Sequence, residues 1–320
     1  MLRFTAACAA FAASVAAHAS CGSAFCMVNN SWSQGATTEA GTRLDLHYEY
    51  INQDQPRSGT SKVGVGEIPR DHDEIRTVNR NWVAALDRAF NASWGVNVSL
   101  PVVDRFHQHL HNDPDTGDQE LETWDFSSLG DMRVLGRYQF ASHQHGDGTA
   151  RVDLWGLNFG AKLPTGKFHE KNTEGELAER TLQPGTGTTD ALLGAYFYSL
   201  LPLSNLSWFA QALYQAPLNQ REDYRPGNRF GVDVGTRYDA GDRLGLMLQA
   251  NFLQKGRDKG LQAEPDDSGG TFLYVSPGAS WNLTKDLQLY GFVQLPVYQK
   301  VNGVQLTADY AAVIGISTRF

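Results

Sequence analysis

About twelve segments of this 320-residue chain alternate apolar with polar or small residues, each over roughly ten to sixteen positions. A period of two means strand, because successive side chains leave a pleated strand on opposite faces. In the first segment, near Thr42–Asn52, Leu44, Leu46, Tyr48 and Tyr50 alternate with Asp45, His47 and Glu49. In the last, Tyr310, Ala312, Ile314, Ile316, Thr318 and Phe320 share one face, and Asp309, Ala311, Val313, Gly315, Ser317 and Arg319 the other. An apolar face with an aromatic at each end suits lipid, and a small or polar face suits a lumen. Pairing the last segment with the first would close a barrel, setting Asp45, His47 and Glu49 beside Ser317 and Gly315.

The remaining segments lie near 76–90, 94–108, 130–141, 150–163, 189–200, 206–216, 228–239, 243–255, 269–281 and 286–298. The fourth sets Met132, Val134, Tyr138 and Phe140 against Asp131, Arg133, Arg137 and Gln139. The eighth sets Phe230, Val232, Val234 and Tyr238 against Asp233, Gly235, Arg237 and Asp239. In the fifth the alternation slips around Trp155-Gly156, the mark of a bulge or a glycine kink. Connections alternate in length. Those at 91–93, 142–149, 201–205, 240–242 and 282–285 are short; those at 53–75, 109–129, 164–188, 217–227, 256–268 and 299–308 are longer. Short turns on one rim and long loops on the other are the habit of a transmembrane antiparallel up-and-down β-barrel. The final strand, closing on Phe320, resembles the last strand of bacterial outer-membrane barrels. A soluble sandwich or lipocalin-like barrel would also alternate, but so many long strands exceed it.

Composition fits. Hydrophobic residues make up 41% of the chain, with 32 glycines, yet mean hydropathy is −0.38. A barrel reconciles these, since only alternate residues face lipid. Residues 1–19 read as a secretory signal: Arg3, an alanine-rich core from Phe4 to Ala17, and the cleavage site Ala17-His18-Ala19. The core is too short for a spanning helix, and His18 disfavours the alternative of a lipidated Cys21. Removing this segment takes away Arg3 and leaves 26 basic residues against 35 acidic, a balance of −9. That balance excludes nucleic acid as the expected partner. Cys21 and Cys26 then form an even pair in an oxidising compartment, which favours a disulfide over a soft-metal site. The segment 20–41 is long enough to enter the lumen as a stapled plug, or to fasten the base; 42–320 is the barrel.

Two kinds of site are expected. Asp45, His47, Glu49, Asp131, Arg133, Arg137, Asp233 and Arg237 fall on the luminal face. They would either line a wet passage or pair across it. Phe106-His107-Gln108-His109-Leu110-His111 places three histidines on one side of an extended chain, followed by Asp113 and Asp115, and Asp71-His72-Asp73-Glu74 lies in the loop before. His107, His109, His111, Asp71 and His72 have the donor chemistry of first-row transition metals. The plainer reading, polar loops with scattered histidines, is the one favoured. His143 and His145 sit in a glycine turn. No nucleophile with partners stands on the outward faces, so no catalysis and no cofactor are expected.

Three motifs carry a family resemblance: Ser128-Leu129-Gly130-Asp131-Met132-Arg133, Gly160-Ala161-Lys162-Leu163-Pro164-Thr165-Gly166, and Gln183-Pro184-Gly185-Thr186-Gly187-Thr188-Thr189-Asp190. Together they resemble outer-membrane proteins grouped as the meta-pathway of phenol degradation family. The resemblance implies a bacterial outer-membrane barrel that moves a small, aromatic or apolar solute. Lipid bilayer, lipopolysaccharide and the barrel assembly machinery are its expected partners. The second reading is a cell-surface metal-binding or interaction barrel using the histidine-rich loops.

Overall fold

The computed structural model describes Val28 and residues 39–113, 116–146, 149–201 and 204–320. The expected signal segment, Cys21, Cys26 and Asp115 lie outside the described residues. The described residues hold fourteen strands: β1 Gly41–Ser58, β2 Ser61–Lys62, β3 His72–Ala89, β4 Trp94–Asn112, β5 Gln119–Leu129, β6 Arg133–Gly146, β7 Thr149–Lys162, β8 Asp190–Leu201, β9 Leu206–Pro217, β10 Arg229–Ala240, β11 Leu244–Lys255, β12 Gly270–Asn282, β13 Leu287–Val301 and β14 Val304–Arg319.

All neighbours pair antiparallel, and β14 pairs with β1 to close the ring. The expected register at the seam holds: Asp45 faces Ser317 and His47 faces Gly315. Phe320 adds a last rung, exchanging backbone bonds with Thr42 at 2.8 and 2.9 Å. The wall has twelve positions. β2 is a two-residue flap on β1, and β5 and β6 share one place beside β4. β5 covers the long-loop half of β4 (Val102↔Leu129 to Asn112↔Gln119), and β6 covers the other half (Ser99↔Arg133 to Trp94↔Tyr138). Gly130–Met132 breaks that strand in two.

The outward face is the lipid face. Leu44, Leu46, Trp82, Leu86, Leu157, Val234, Leu246, Leu248, Val293, Ile314 and Ile316 are all exposed. So are Phe90, Trp94, Tyr138, Phe140, Trp155, Tyr238, Trp281 and Phe320 toward the short-turn end, and Tyr214, Phe230, Tyr298 and Tyr310 toward the other. An apolar band of this extent, edged by aromatics, is incompatible with water on that face.

Three details differ from the sequence reading. β7 holds unbroken register with both neighbours, so there is no bulge at Trp155-Gly156. The pattern slips because Leu154 is apolar yet faces inward, packed on Tyr196, Tyr198 and Phe209. β5 occupies a stretch expected to be loop, with Trp124, Phe126 and Ser128 buried inside. The last connection is only Asn302-Gly303, because β13 and β14 run on past the membrane span.

Candidate functional site: the neck of the lumen

The loop after β7, residues 163–189, does not cover the barrel from outside. It turns into the lumen and narrows it. Its two ends meet first. Gly166 and Gly185 touch backbone to backbone; a Cβ on Gly185 would stand 2.6 Å from the Gly166 carbonyl, and one on Gly166 would stand 2.7 Å from Gly185 Cα. Only glycine permits that approach. Beside the crossing, Asp131 accepts from Gly166 N at 3.1 Å, Thr186 N at 2.9 Å, Thr186 Oγ1 at 2.9 Å and Lys162 Nζ at 2.7 Å. Lys162 also donates to Thr188 O at 2.9 Å and stands 3.5 Å from Asp190. Lys162, Asp131 and Asp190 are all buried. The three motifs noted in the sequence thus converge on one knot, at the break between β5 and β6.

Beyond the knot the loop is tightly cross-braced. Gln183 bonds Glu170 N, Glu170 O and Ala178 O, at 2.8, 3.1 and 2.7 Å. Arg180 lies between the rings of Phe168 and Tyr224, 4.6 and 5.1 Å from their centroids, and donates to Thr186 O at 2.9 Å. Arg180 has its pKa lowered, by burial first, and burial raises the Tyr224 hydroxyl well above its usual range, aided by Asp258. The tip, a single tight turn from Glu179 to Gln183, packs Ala178 and Leu182 on Trp124, Phe126 and Leu306.

A polar relay spans the lumen beneath this tip. Arg105 donates to Leu182 O and, at 2.7 Å, to Asn79 Oδ1; Asn79 donates to Gln53 at 3.0 Å; Gln53 donates to Leu306 O at 3.3 Å. Arg105, Asn79, Gln53, Leu182 and Leu306 are each at most 2% exposed. The neck is therefore a packed layer rather than a water-filled ring.

The expected luminal residues all lie inside, mostly paired. His47 and Glu49 are buried; His47 Nδ1 is 2.8 Å from Asp45, and Asn81 donates to Glu49 at 3.1 Å. The bare side formed by Gly315 is filled by Tyr290, whose hydroxyl donates to Asp45 at 2.8 Å. Arg137 meets Asp87 at 3.4 Å, Arg237 meets Asp239 at 2.7 Å, and Asn251 donates to Asp233 at 2.8 Å. Arg133 donates to Gln215 at 3.3 Å. Asp131 belongs to the loop knot instead of a strand.

Of the metal-type residues, His72, His107 and His109 come together at the neck. His111 and Asp71 are exposed on the rim and belong to neither group of converging donors, although His111 pairs with His72 across the β3–β4 ladder. Glu179 and Glu264, from two different loops, join the histidines. Neither was legible in advance: each is one of several acids in a long polar connection. Burial, reinforced by Glu74 and Asp267, pushes the Glu264 carboxyl up to about 9.

One seam of the wall is incomplete. The β13–β14 ladder runs from Leu287↔Thr318 to Gln294↔Ala311. Beyond it β13 continues on β12 as far as Val301, while β14 continues on β1 as far as Val304. Gln305–Ala308 are all buried. A recess opens here, lined by Ile51, Phe272, Tyr274, Gln294, Ala308 and Tyr310 among others.

A closed antiparallel barrel with a lipid-facing girdle, a polar lumen and an inturned loop is a bacterial outer-membrane barrel. Residues 75–306 match the family described as putative MetA-pathway of phenol degradation, and the chain belongs to that family. Among solved structures, an outer membrane channel from Pseudomonas putida F1 superposes with a TM-score of 0.64 at 12% identity, covering 89% of this chain and 97% of that one. The NanC porin superposes with a TM-score of 0.45 at 11% identity (86% and 98% covered). The translocator domain of NalP from Neisseria meningitidis gives 0.44 at 10% (91% and 92% covered). No curated protein matches the sequence.

Proposed function

We propose that the protein is a gated outer-membrane channel for a small aromatic or apolar solute. The observation that carries this is the neck: a polar lumen crossed by a loop that is held by side-chain bonds and a few backbone bonds at its base, outside the strand ladder. A solid structural barrel would not need a knotted insert; a channel that must stay shut against larger solutes does. The family description supports a phenolic type of solute. The mixed lining of the β13–β14 recess, aromatic rings beside glutamine amides, suits a flat apolar ring bearing a hydroxyl. Paired luminal charges such as Arg137–Asp87 and Arg237–Asp239 would set size and polarity limits rather than a net ion preference.

Val28 packs against Met247, Tyr290, Phe292 and Val313 on the luminal face. This supports reading 20–41 as a second plug, entering from the short-turn end. The long-loop rim would face lipopolysaccharide, and the strand ending at Phe320 would engage the assembly machinery during insertion. The test is electrical. In planar bilayers the full-length protein gives small discrete openings, and removing residues 170–182 enlarges them several-fold. A barrel that is silent in both forms, and that admits no phenol into vesicles, overturns the channel reading.

A further inference from the structure

Directly beside the loop tip, three histidines and four glutamates from five parts of the chain crowd into the lumen. His72 and Glu74 come from β3, His107 and His109 from β4, Glu122 from β5, Glu179 from the inturned loop, and Glu264 from the loop between β11 and β12. We propose that the neck binds a divalent transition-metal ion of the zinc class, taken by His107, His109 and Glu179, with His72 and Glu264 closing in from the far side of the same Glu179.

The donor spacing fits an ion. The ligand atoms of His107, His109 and Glu179 all lie within 4.8 Å of one another, and so do those of His72, Glu179 and Glu264. His107 Nε2 and His109 Nδ1 are 3.2 Å apart, and His109 Nδ1 and His72 Nε2 each stand 3.7 Å from Glu179 Oε1. Tetrahedral zinc, with bonds of about 2.0–2.1 Å to nitrogen and oxygen, sets its donors about 3.3 Å apart. The two 3.7 Å gaps are too long for hydrogen bonds and close to what a shared ion requires.

The outer nitrogens are already anchored. His107 Nδ1 meets Thr77 Oγ1 at 2.8 Å, and His109 Nε2 meets Glu122 at 2.7 Å. Each anchor fixes the ring and turns its other nitrogen inward, the arrangement by which carboxylates and hydroxyls orient metal-bound histidines. The site also holds more buried carboxylate than its neighbours offset. Both Glu264 oxygens are sealed from solvent and lack a hydrogen-bond partner. Arg70 binds Asp267 at 2.7 Å, and Arg105 is committed to Asn79 and Leu182. Burying carboxylates without a cation is costly, and a dication removes that cost. Imidazole with carboxylate selects zinc, copper or nickel over magnesium or calcium. Glu179 and Glu264 sit on separate loops, while the histidines sit on wall strands. A bound ion would therefore stitch both loops to the wall and lock the neck.

This inference does not rest on the channel reading, because its readout is binding. The full-length protein, folded in detergent and stripped with EDTA, is titrated with zinc chloride by calorimetry. Cobalt(II) serves as the spectroscopic probe. The expected result is one ion per chain with a dissociation constant below about 10 μM, intense visible cobalt bands, and an affinity loss of at least 100-fold in H107A/H109A. H111A and D71A bind as wild type. Should the double variant fail the heat-shift test for a folded barrel, Glu179→Gln, on the loop, takes its place, with at least tenfold loss expected. Absence of binding tighter than tens of micromolar, or equal affinity in the folded variant, leaves only a hydrogen-bonded histidine cluster and overturns the proposal.

Discussion

The lumen is filled in two different ways at its two ends. Toward the short turns, wall residues reach sideways into it: Tyr290 fills the notch above Gly315 and donates to Asp45, and Arg237 of β10 donates to Ser280 of β12. At the neck, a separate piece of chain is brought in and knotted through Asp131 and Lys162. The first filling moves only if the barrel itself unfolds. The second can leave while every strand keeps its ladder. On the proposed reading, stability and gating fall to different regions, and substitutions should separate them.

The sharpest break in this comparison is Asp131→Ala. It removes the acceptor of four bonds and leaves the buried Lys162 ammonium with Asp190 as its one remaining carboxylate, at 3.5 Å, besides Thr188 O. Removing one partner of a buried ion pair costs about 3–5 kcal/mol. Here the cost falls on the inserted loop, so the expected result is larger and more frequent openings in planar bilayers, with the strand ladder retained by circular dichroism. If the openings are unchanged and the melting point drops, the knot braces the barrel wall and the division between the two ends fails.

The two fillings also differ in how far the sequence revealed them. The wall filling follows from period two. Once Thr42–Asn52 was set against the last strand, the places of Asp45, His47, Glu49 and Gly315 followed, because register fixes which side chains meet. Leu154 broke the rule, an apolar residue on an inward position, and so did Met247, Leu253, Phe292 and Val313. The neck filling has no period. Residues 163–189 contain turns, glycines and single charges, and nothing in that pattern distinguishes a loop that folds inward from one that lies over the rim. Its motifs were visible as three separate turn sequences. That Gly166, Gly185, Asp131 and Lys162 meet depends on a chain crossing, which is tertiary information. The same holds for the metal-type residues: the His107–His109 row was plain, but Glu179 and Glu264 reach it through two long loops.

A middle-sized effect tests the other end. Tyr290→Phe keeps the ring in the Gly315 notch and removes only the hydroxyl given to Asp45. A hydrogen bond to a charged acceptor contributes about 1.5–3 kcal/mol. The loss should appear as a lower urea midpoint for barrel unfolding in vesicles, with single-channel conductance at the neck unchanged. A large conductance change with no loss of stability would mean that the short-turn end gates as well.

The smallest effect lies on the surface of the inserted loop. Glu222 accepts from His169 at 2.7 Å, with both side chains about half exposed. That bond to His169 is the main cause of a lowered Glu222 pKa. A depressed carboxyl contributes stability above its ordinary range and loses it as pH falls through the shifted value, so the pair works at neutral pH and fails in acid. Exposed pairs are screened, and many contribute nothing measurable. Glu222→Gln should therefore leave both melting point and conductance at pH 7 within error, and should leave unaltered the change that acidification to pH 4 produces in the wild type. The buried Lys162–Asp131 contact and this exposed one fasten the same loop, so their contrast isolates burial as the variable. If Glu222→Gln opens the channel as Asp131→Ala does, the loop is held from its outer surface, and the knot at its base is only a turn.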